Sequence, residues 1–326
     1  MPARGFLAVI AAVVWVNVVW ANTAAGRDLQ SADIYSADHP TVQATARFGQ
    51  LVEERSGGRH RLVVLGDENK SSEAFIMGQL RNGILDMARL NLASLANMIP
   101  AAFVPAMPYV FRSTEHMRHV LDGPIGQDLL ATFDRFDVIG LCYYDMGARS
   151  FYGARPVRKA ADIVGAKVRV PPLAPWVAMF QALGVEPVSM PFERVHPALR
   201  NGTVDFADDN WPAFIASRHY EVARYFSLTR HSMSPGVLLV SKRTWNTLSA
   251  DDQAMFRAAA KESVAFNRKL WDDIERAMPK AAAAMKVEIV SDVDEASFAE
   301  AIVSARGRQL TSPRAAELAE RIAAAP

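Results

Sequence analysis

Apolar residues along this chain fall into two rhythms that take turns. Residues 31–36 and 62–65 read as strands. Between them Ala44, Phe48, Leu51 and Val52 recur at helical spacing, with Asp38 as candidate N-cap and Gly57-Gly58 as the stop. A second helix is expected over 72–81, turning Phe75, Ile76 and Leu80 inward and closing at Gly83. A strand over 84–90 follows and carries Arg89 and Asn91 to its end. Strand, helix, strand, helix, strand predicts an α/β fold with a parallel sheet flanked by helices.

The alternation continues beyond a proline-spaced segment, Pro100, Pro105 and Pro108. Ser113 should cap a helix bearing Met117, Val120 and Leu121, and Val138 to Tyr144 should be a buried strand. Lys167-Val168-Arg169-Val170-Pro171-Pro172 reads as a short strand: the β-branched valines face the core, Lys167 and Arg169 point away, and the prolines stop it. Trp176, Val177, Phe180 and Leu183 form a helical face. A shorter helix over 191–202 starts late or kinks at Pro197, and a strand over 203–207 follows. After a strand over 236–240, Ser249 caps a helix whose apolar spacing holds from Ala250 to Met278, about 44 Å at ~1.5 Å per residue. A strand over 287–290 precedes an alanine-rich helical tail. Arg81-Asn82-Gly83-Ile84-Leu85-Asp86-Met87 and Arg200-Asn201-Gly202-Thr203-Val204-Asp205-Phe206 share a context, a glycine-ended helix before a strand, which points to two similar lobes aiming strand ends at one cleft.

Residues 1–25 break the pattern. Arg4, an apolar run from Gly5 to Ala21 and small residues after it have the form of a secretory signal peptide, so the mature chain is expected to be exported and soluble. The chain holds 36 basic and 35 acidic residues, and losing residues 1–25 removes only Arg4. That neutrality argues against nucleic acid or an anionic membrane as partner. The single cysteine, Cys142, excludes an internal disulfide and lies in an apolar strand, where a buried, inert thiol is expected.

The motifs narrow the chemistry further. There is no phosphate-cradling glycine loop, no Gly-x-Ser-x-Gly elbow and no metal-type Cys or His spacing. His116 and His119 stand three apart with no third ligand and are expected to face solvent, so no cofactor or metal is expected. Asp208, Asp209 and Glu73 leave acid-base catalysis open, without a nucleophile and base in evidence. What recurs after strands is a recognition set: Arg149 and Arg169, the amides Asn91 and Asn210, and the indole of Trp211. An arginine fork matches a carboxylate in two parallel hydrogen bonds, and ligands of α/β proteins bind beyond the carboxyl ends of strands.

The chain resembles the periplasmic solute-binding subunits of TRAP transporters, the DctP-like family. The resemblance rests on Ala37-Asp38-His39-Pro40, Asn82-Gly83-Ile84-Leu85-Asp86-Met87-Ala88, Leu121-Asp122-Gly123-Pro124-Ile125-Gly126, Gly147-Ala148-Arg149-Ser150, Lys167-Val168-Arg169-Val170-Pro171, Met190-Pro191-Phe192, His219-Tyr220-Glu221-Val222 and Leu248-Ser249-Ala250-Asp251-Asp252-Gln253. It implies a two-lobed periplasmic-binding-protein clamshell with a long inter-lobe helix. One lobe would comprise 27–146 plus about 235–274, the other 147–234 plus about 275–326. It also implies a small organic carboxylate as ligand and a sodium-driven membrane permease as partner. Arg169 would hold the carboxylate and Arg149 would assist. The chain departs from the family at Asp208 and Asp209, the latter a charge where an amide is usual, at Gly66 to Glu73, and at Arg194-Val195-His196. Asn210-Trp211-Pro212, Ala88-Arg89-Leu90-Asn91 and Ala148-Arg149-Ser150-Phe151-Tyr152 look most like members that bind sugar acids such as uronates. Glu73, Asp209 and Asn210 would then meet hydroxyls and Trp211 a ring face. A C4-dicarboxylate receptor of the same family and a periplasmic enzyme on a two-lobed fold are the alternatives.

Overall fold

The structure, a computed structural model, describes residues 27–66, 72–310 and 312–326. The expected signal peptide and most of the altered loop after Gly66 lie outside the described residues. In chain order the strands are β1 (Arg27–Ala32), β2 (His60–Leu65), β3 (Met87–Asn91), β4 (Val138–Tyr144), β5 (Arg149–Gly153), β6 (Lys167–Val170), β7 (Glu186–Ser189), β8 (Phe206–Asp209), β9 (Tyr225–Ser232), β10 (Gly236–Ser241) and β11 (Glu288–Val290). They build two sheets, one per lobe, in the orders β2-β1-β3-β10-β4 and β11-β9-β5-β8-β6-β7. β1 pairs in parallel with β2 and β3, while β10 runs antiparallel between β3 and β4. In the second sheet β6 is parallel to β7 and β8, and β5 is antiparallel to β8 and β9. The chain therefore crosses between lobes after β4, after β9 and again between β10 and β11.

The duplicated heptad does the same work in both lobes. Gly83 and Gly202 take the left-handed conformation, at φ 72° and 68°, that ends one helix and turns into the next strand. The aspartate of each repeat then clamps the neighbouring strand twice. The Asp86 backbone N–H donates to Gln30 O at 3.1 Å, and its carboxylate accepts from Gln30 N at 3.0 Å. Asp205 repeats both bonds with Lys167, each at 2.8 Å. Such bonds contribute about 1 kcal/mol each and set the register of the parallel pairs β1–β3 and β6–β8.

The long helix Ala250–Ala284 runs 35 residues, past the expected end at Met278 and through Pro279. Its first half packs Phe256, Ala259, Ala260 and Val264 on the outer face of the first sheet, and Ile274, Met278 and Ala282 near its end pack in the second lobe. One apolar core also continues from Leu90 and Phe103 to Phe151, Trp176 and Phe206, joining the lobes. Phe103 of the proline-spaced segment meets Trp176 edge to face at 6.4 Å.

Several local expectations need correction. The cap of the helix Pro40–Ser56 is His39, whose Nδ1 accepts from Thr41 N at 3.3 Å, while Asp38 bonds Ser36 instead. Phe75 is 56% exposed, because the helix Glu73–Asn82 buries Ile76, Met77 and Leu80 and the ring lies outside that stripe. His116 is buried against Phe111, where its Nδ1 accepts from Arg112 N at 3.1 Å. The last helix, Pro313–Ala324, belongs with the first lobe although 275–326 was expected in the second. Arg321 bonds Asp128, and Arg112 of the first lobe donates to Ala323 O and Ala325 O at 3.2 and 2.7 Å. Its Ala315, Leu318 and Ile322 face the shared core, which is how an amphipathic helix joins whichever groove is open. Cys142 is buried and free, and burial pushes its thiol up to about 12. Among the described residues no helix is long and apolar enough to cross a membrane.

Candidate functional site

β6 buries Val168 and Val170 completely, as its alternation predicts, and brings Arg169 to the opposite face near the strand's carboxyl end. Arg169 is only 3% exposed. Its Nε donates to Met190 O at 3.1 Å, and the guanidinium lies 5.7 Å from the Phe192 ring. Among the described residues no carboxylate comes within ion-pair distance of it. Burial accordingly lowers its pKa, with Asp208 opposing the shift and Arg149 reinforcing it.

Arg149, at the start of β5, has the opposite surroundings. Nε meets Asp208 Oδ2 at 2.6 Å, Nη1 meets Asp209 Oδ1 at 2.9 Å, and Nη2 donates to Asp208 O at 2.6 Å. Burial opposes its charge, but the two aspartates outweigh burial and hold its pKa above the usual value. Asp208 is also 3.1 Å from His231 Nε2, and these partners overcome burial to keep its carboxyl below the usual range. Asp209 is pushed up by burial despite Arg149.

The remaining expected site residues divide between binding geometry and local structure. Asn210 caps the short helix Trp211–Ala216, its Oδ1 accepting from Ala213 N at 2.9 Å. Trp211 is 5% exposed and packs on Phe226 and Phe214, with ring centroids 5.2 and 5.4 Å away, which leaves little free indole face for a guest. In the first lobe Asn91 N donates to Glu73 Oε1 at 2.7 Å, while Asn91 Oδ1 accepts from Ala93 N and from the Ser234 hydroxyl. Glu73 lies 3.6 Å from Arg89, and burial raises its carboxyl pKa.

The two clusters meet at Tyr35. Its ring covers Arg89 at 4.8 Å and stacks on His39 at 4.0 Å. Burial raises the phenol's pKa, and the charges of Asp209 and Arg149 from one lobe and of Arg89 and Glu73 from the other act on the same hydroxyl. The arrangement is a buried polar network between strand ends of the two lobes, and among the described residues Arg169 is the one arginine of it with no carboxylate within ion-pair distance.

The family model for bacterial extracellular solute-binding proteins of family 7, DctP, matches residues 31–307. The chain belongs to this family. Among its DctP-family relatives is a TRAP periplasmic solute-binding protein from Bradyrhizobium sp. BTAi1, solved in complex with α/β-D-galacturonate. It shares 42% identity and superposes with a TM-score of 0.85 over 91% of this chain and 99% of that one. The protein from Roseobacter denitrificans, solved with bound β-D-glucuronate, is 31% identical at a TM-score of 0.87, covering 92% and 100%. The 2,3-diketo-L-gulonate-binding periplasmic protein YiaO of Escherichia coli is 28% identical over 260 residues, 79% of each chain. The present chain is thus a TRAP solute-binding protein with the two-lobed fold of these relatives.

The sequence brings Arg89 to a strand end but does not mark it, Asp33 or Tyr35 as parts of this buried network. Arg89 is fully buried and gripped by Asp33, with Nε to Oδ2 at 2.7 Å and a second bond from Nη2. Asp33 and Tyr35 follow β1 as Arg169 ends β6, so the strand-end rule could have found them. Their partners are 56 residues away in the chain for Arg89 and Asp33, which no local pattern reveals. A cavity of about 400 Å³ lined by Arg81, Asn82, Asp137, Lys242, Arg243 and Asn246 lies at the opposite ends of β3 and β10 and touches none of this.

Proposed function

We propose that this protein is the exported receptor of a TRAP transporter that captures a sugar acid, a uronate such as D-galacturonate or D-glucuronate, and delivers it to a sodium-coupled membrane permease. The observation that carries the reading is Arg169, a buried guanidinium at a strand end with a backbone carbonyl but, among the described residues, no carboxylate within ion-pair distance. A buried charge is tolerated when a partner completes it, and a guest carboxylate supplies that partner with fork geometry. Asp209 and Asn210 in the same lobe, and Glu73, Asn91 and Tyr35 in the first lobe, are hydrogen-bonding groups suited to sugar hydroxyls. The uronates bound by the Bradyrhizobium and Roseobacter proteins have this combination of one carboxylate and several hydroxyls. The cleft is read as holding its guest without converting it, and the leader over residues 1–25 as the export signal.

Calorimetry with D-galacturonate, D-glucuronate, succinate and malate tests this directly. The uronates should bind, and should be recovered chemically unchanged. A micromolar guest is held by about 8 kcal/mol, and truncating one member of a buried charge pair costs about 2 to 5 kcal/mol. Arg169→Ala should therefore reduce affinity by at least about thirtyfold, and Arg169→Lys should weaken it because the fork is lost. Undiminished affinity in Arg169→Ala, or binding of C4-dicarboxylates alone, would overturn the reading.

A further inference from the structure

The charges that converge between the lobes do not balance. Arg89, Arg149 and Arg169 stand against Asp33, Glu73, Asp208 and Asp209, three cations to four carboxylates. Two of the arginines are already engaged: Arg89 holds Asp33 with Glu73 at 3.6 Å, and Arg149 holds both Asp208 and Asp209. Only Arg169 lacks a carboxylate among the described residues. Resting on the sugar-acid reading, we propose that the cleft accepts a guest with a single carboxylate and rejects one with two, and that Asp209 enforces the distinction.

With one carboxylate on Arg169, a guest that carries another at the far end of the same sugar skeleton must set it against one of the two remaining clusters. Towards Arg149 it meets a guanidinium whose Nε and Nη1 are occupied, at 2.6 and 2.9 Å, with Asp209 as neighbour. Towards the first lobe it meets Arg89, which Asp33 and Glu73 already flank. Both placements bury like charges together, which costs several kcal/mol. A hydroxyl or ring oxygen at the same places meets no such repulsion, because carboxylates accept from hydroxyls readily. The upward pKa shifts of Glu73 and Asp209, both caused first by burial, express the same reluctance of this space to hold more negative charge. Asp209 is the natural point of control. Of the two acids on Arg149 it is the one without an imidazole partner among the described residues, since His231 bonds Asp208.

The test compares D-galacturonate with galactarate, which has the same carbon skeleton and a carboxylate at both ends, by calorimetry on the wild type and on Asp209→Asn. The Asn side chain can still accept from Arg149 and from Asn210 N, the two bonds Asp209 makes at 2.9 and 2.8 Å. Wild type should bind galactarate about a hundredfold more weakly than galacturonate, and Asp209→Asn should narrow that ratio to about tenfold or less. Circular dichroism verifies folding, and Asp209→Ser replaces the Asn variant should that one not fold. Equal binding of the two sugar acids by wild type, or an unchanged ratio in the variant, overturns this inference and leaves the receptor reading standing. Binding of neither, with D-glucuronate also unbound, overturns the sugar-acid reading together with this inference.

Discussion

Arg149 and Arg169 have the same side chain in the same sheet, and their surroundings give them opposite duties. Removing Arg149 would strand Asp208 and Asp209, both buried, without their cation. Arg149→Ala should therefore cost about 3 to 5 kcal/mol of stability in urea unfolding, whereas Arg169→Ala, which deletes a buried charge with no carboxylate partner, should cost far less. A reversed order would contradict this division. His219 offers a second residue-scale check. It is 1% exposed, its Nδ1 lies 2.8 Å from the Tyr152 hydroxyl, and burial, helped by His196 and Arg169, lowers its pKa from 6.5 to about 4. As pH falls below about 6.5 the unfolded chain takes up a proton that the folded chain refuses. Stability should then decline down to about pH 4 by up to roughly 3 kcal/mol, with no further loss from this group below that. Urea midpoints at pH 7 and 4.5 should differ less in His219→Gln than in wild type; equal differences would remove His219 as a cause. At this scale the sequence reveals which side chains can bind an acid but not which of them already has a partner.

Among elements, the crossover between β4 and β5 is the most constrained. Gly147 sits there at φ 67°, and a Cβ on it would stand 2.7 Å from the Trp271 ring of the long helix. Next to it Asp145 bonds Arg118 at 2.6 Å, and Arg118 reaches Asp272 of the same helix at 2.7 Å. Gly202 has the same backbone twist, but nothing lies within 4 Å of its added Cβ. Gly202→Ala should thus cost about 1 kcal/mol of backbone strain, and Gly147→Ala that strain plus about 1 to 3 kcal/mol from overpacking. Thermal unfolding of the pair checks the difference, and equal losses would mean that Trp271 yields freely. Many element types were legible, since Val138–Tyr144 and the Ser249 cap follow directly from apolar spacing and capping chemistry, but the strands β5, β7 and β9 were not expected from the sequence. Boundaries and some faces were not legible either. Residues 84–86 form the turn and clamp of the duplicated motif and Ile84 is 66% exposed, although its hydropathy extends the strand backwards.

At the scale of the molecule, the first lobe is completed by the end of the chain. Leu318 and Ile322 of the last helix are buried there, and losing two such side chains removes on the order of 3 to 6 kcal/mol of apolar burial. Deleting residues 313–326 should lower the urea midpoint and the thermal transition markedly, and an unchanged transition would show the helix to be dispensable. The α/β class, the duplicated helix-to-strand turn and the strand-end position of Arg169 were determined by the sequence alone, because periodicity, glycine stops and β-branched alternation act over neighbouring residues, while the two-lobed clamshell was what the family resemblance implied. Tertiary structure decided which lobe receives the last helix, that Trp211 fills a core, and that Arg149 is neutralised while Arg169 is not. Those outcomes depend on pairings such as Arg149 with Asp208, 59 residues apart, and on which buried charges desolvation leaves without a partner.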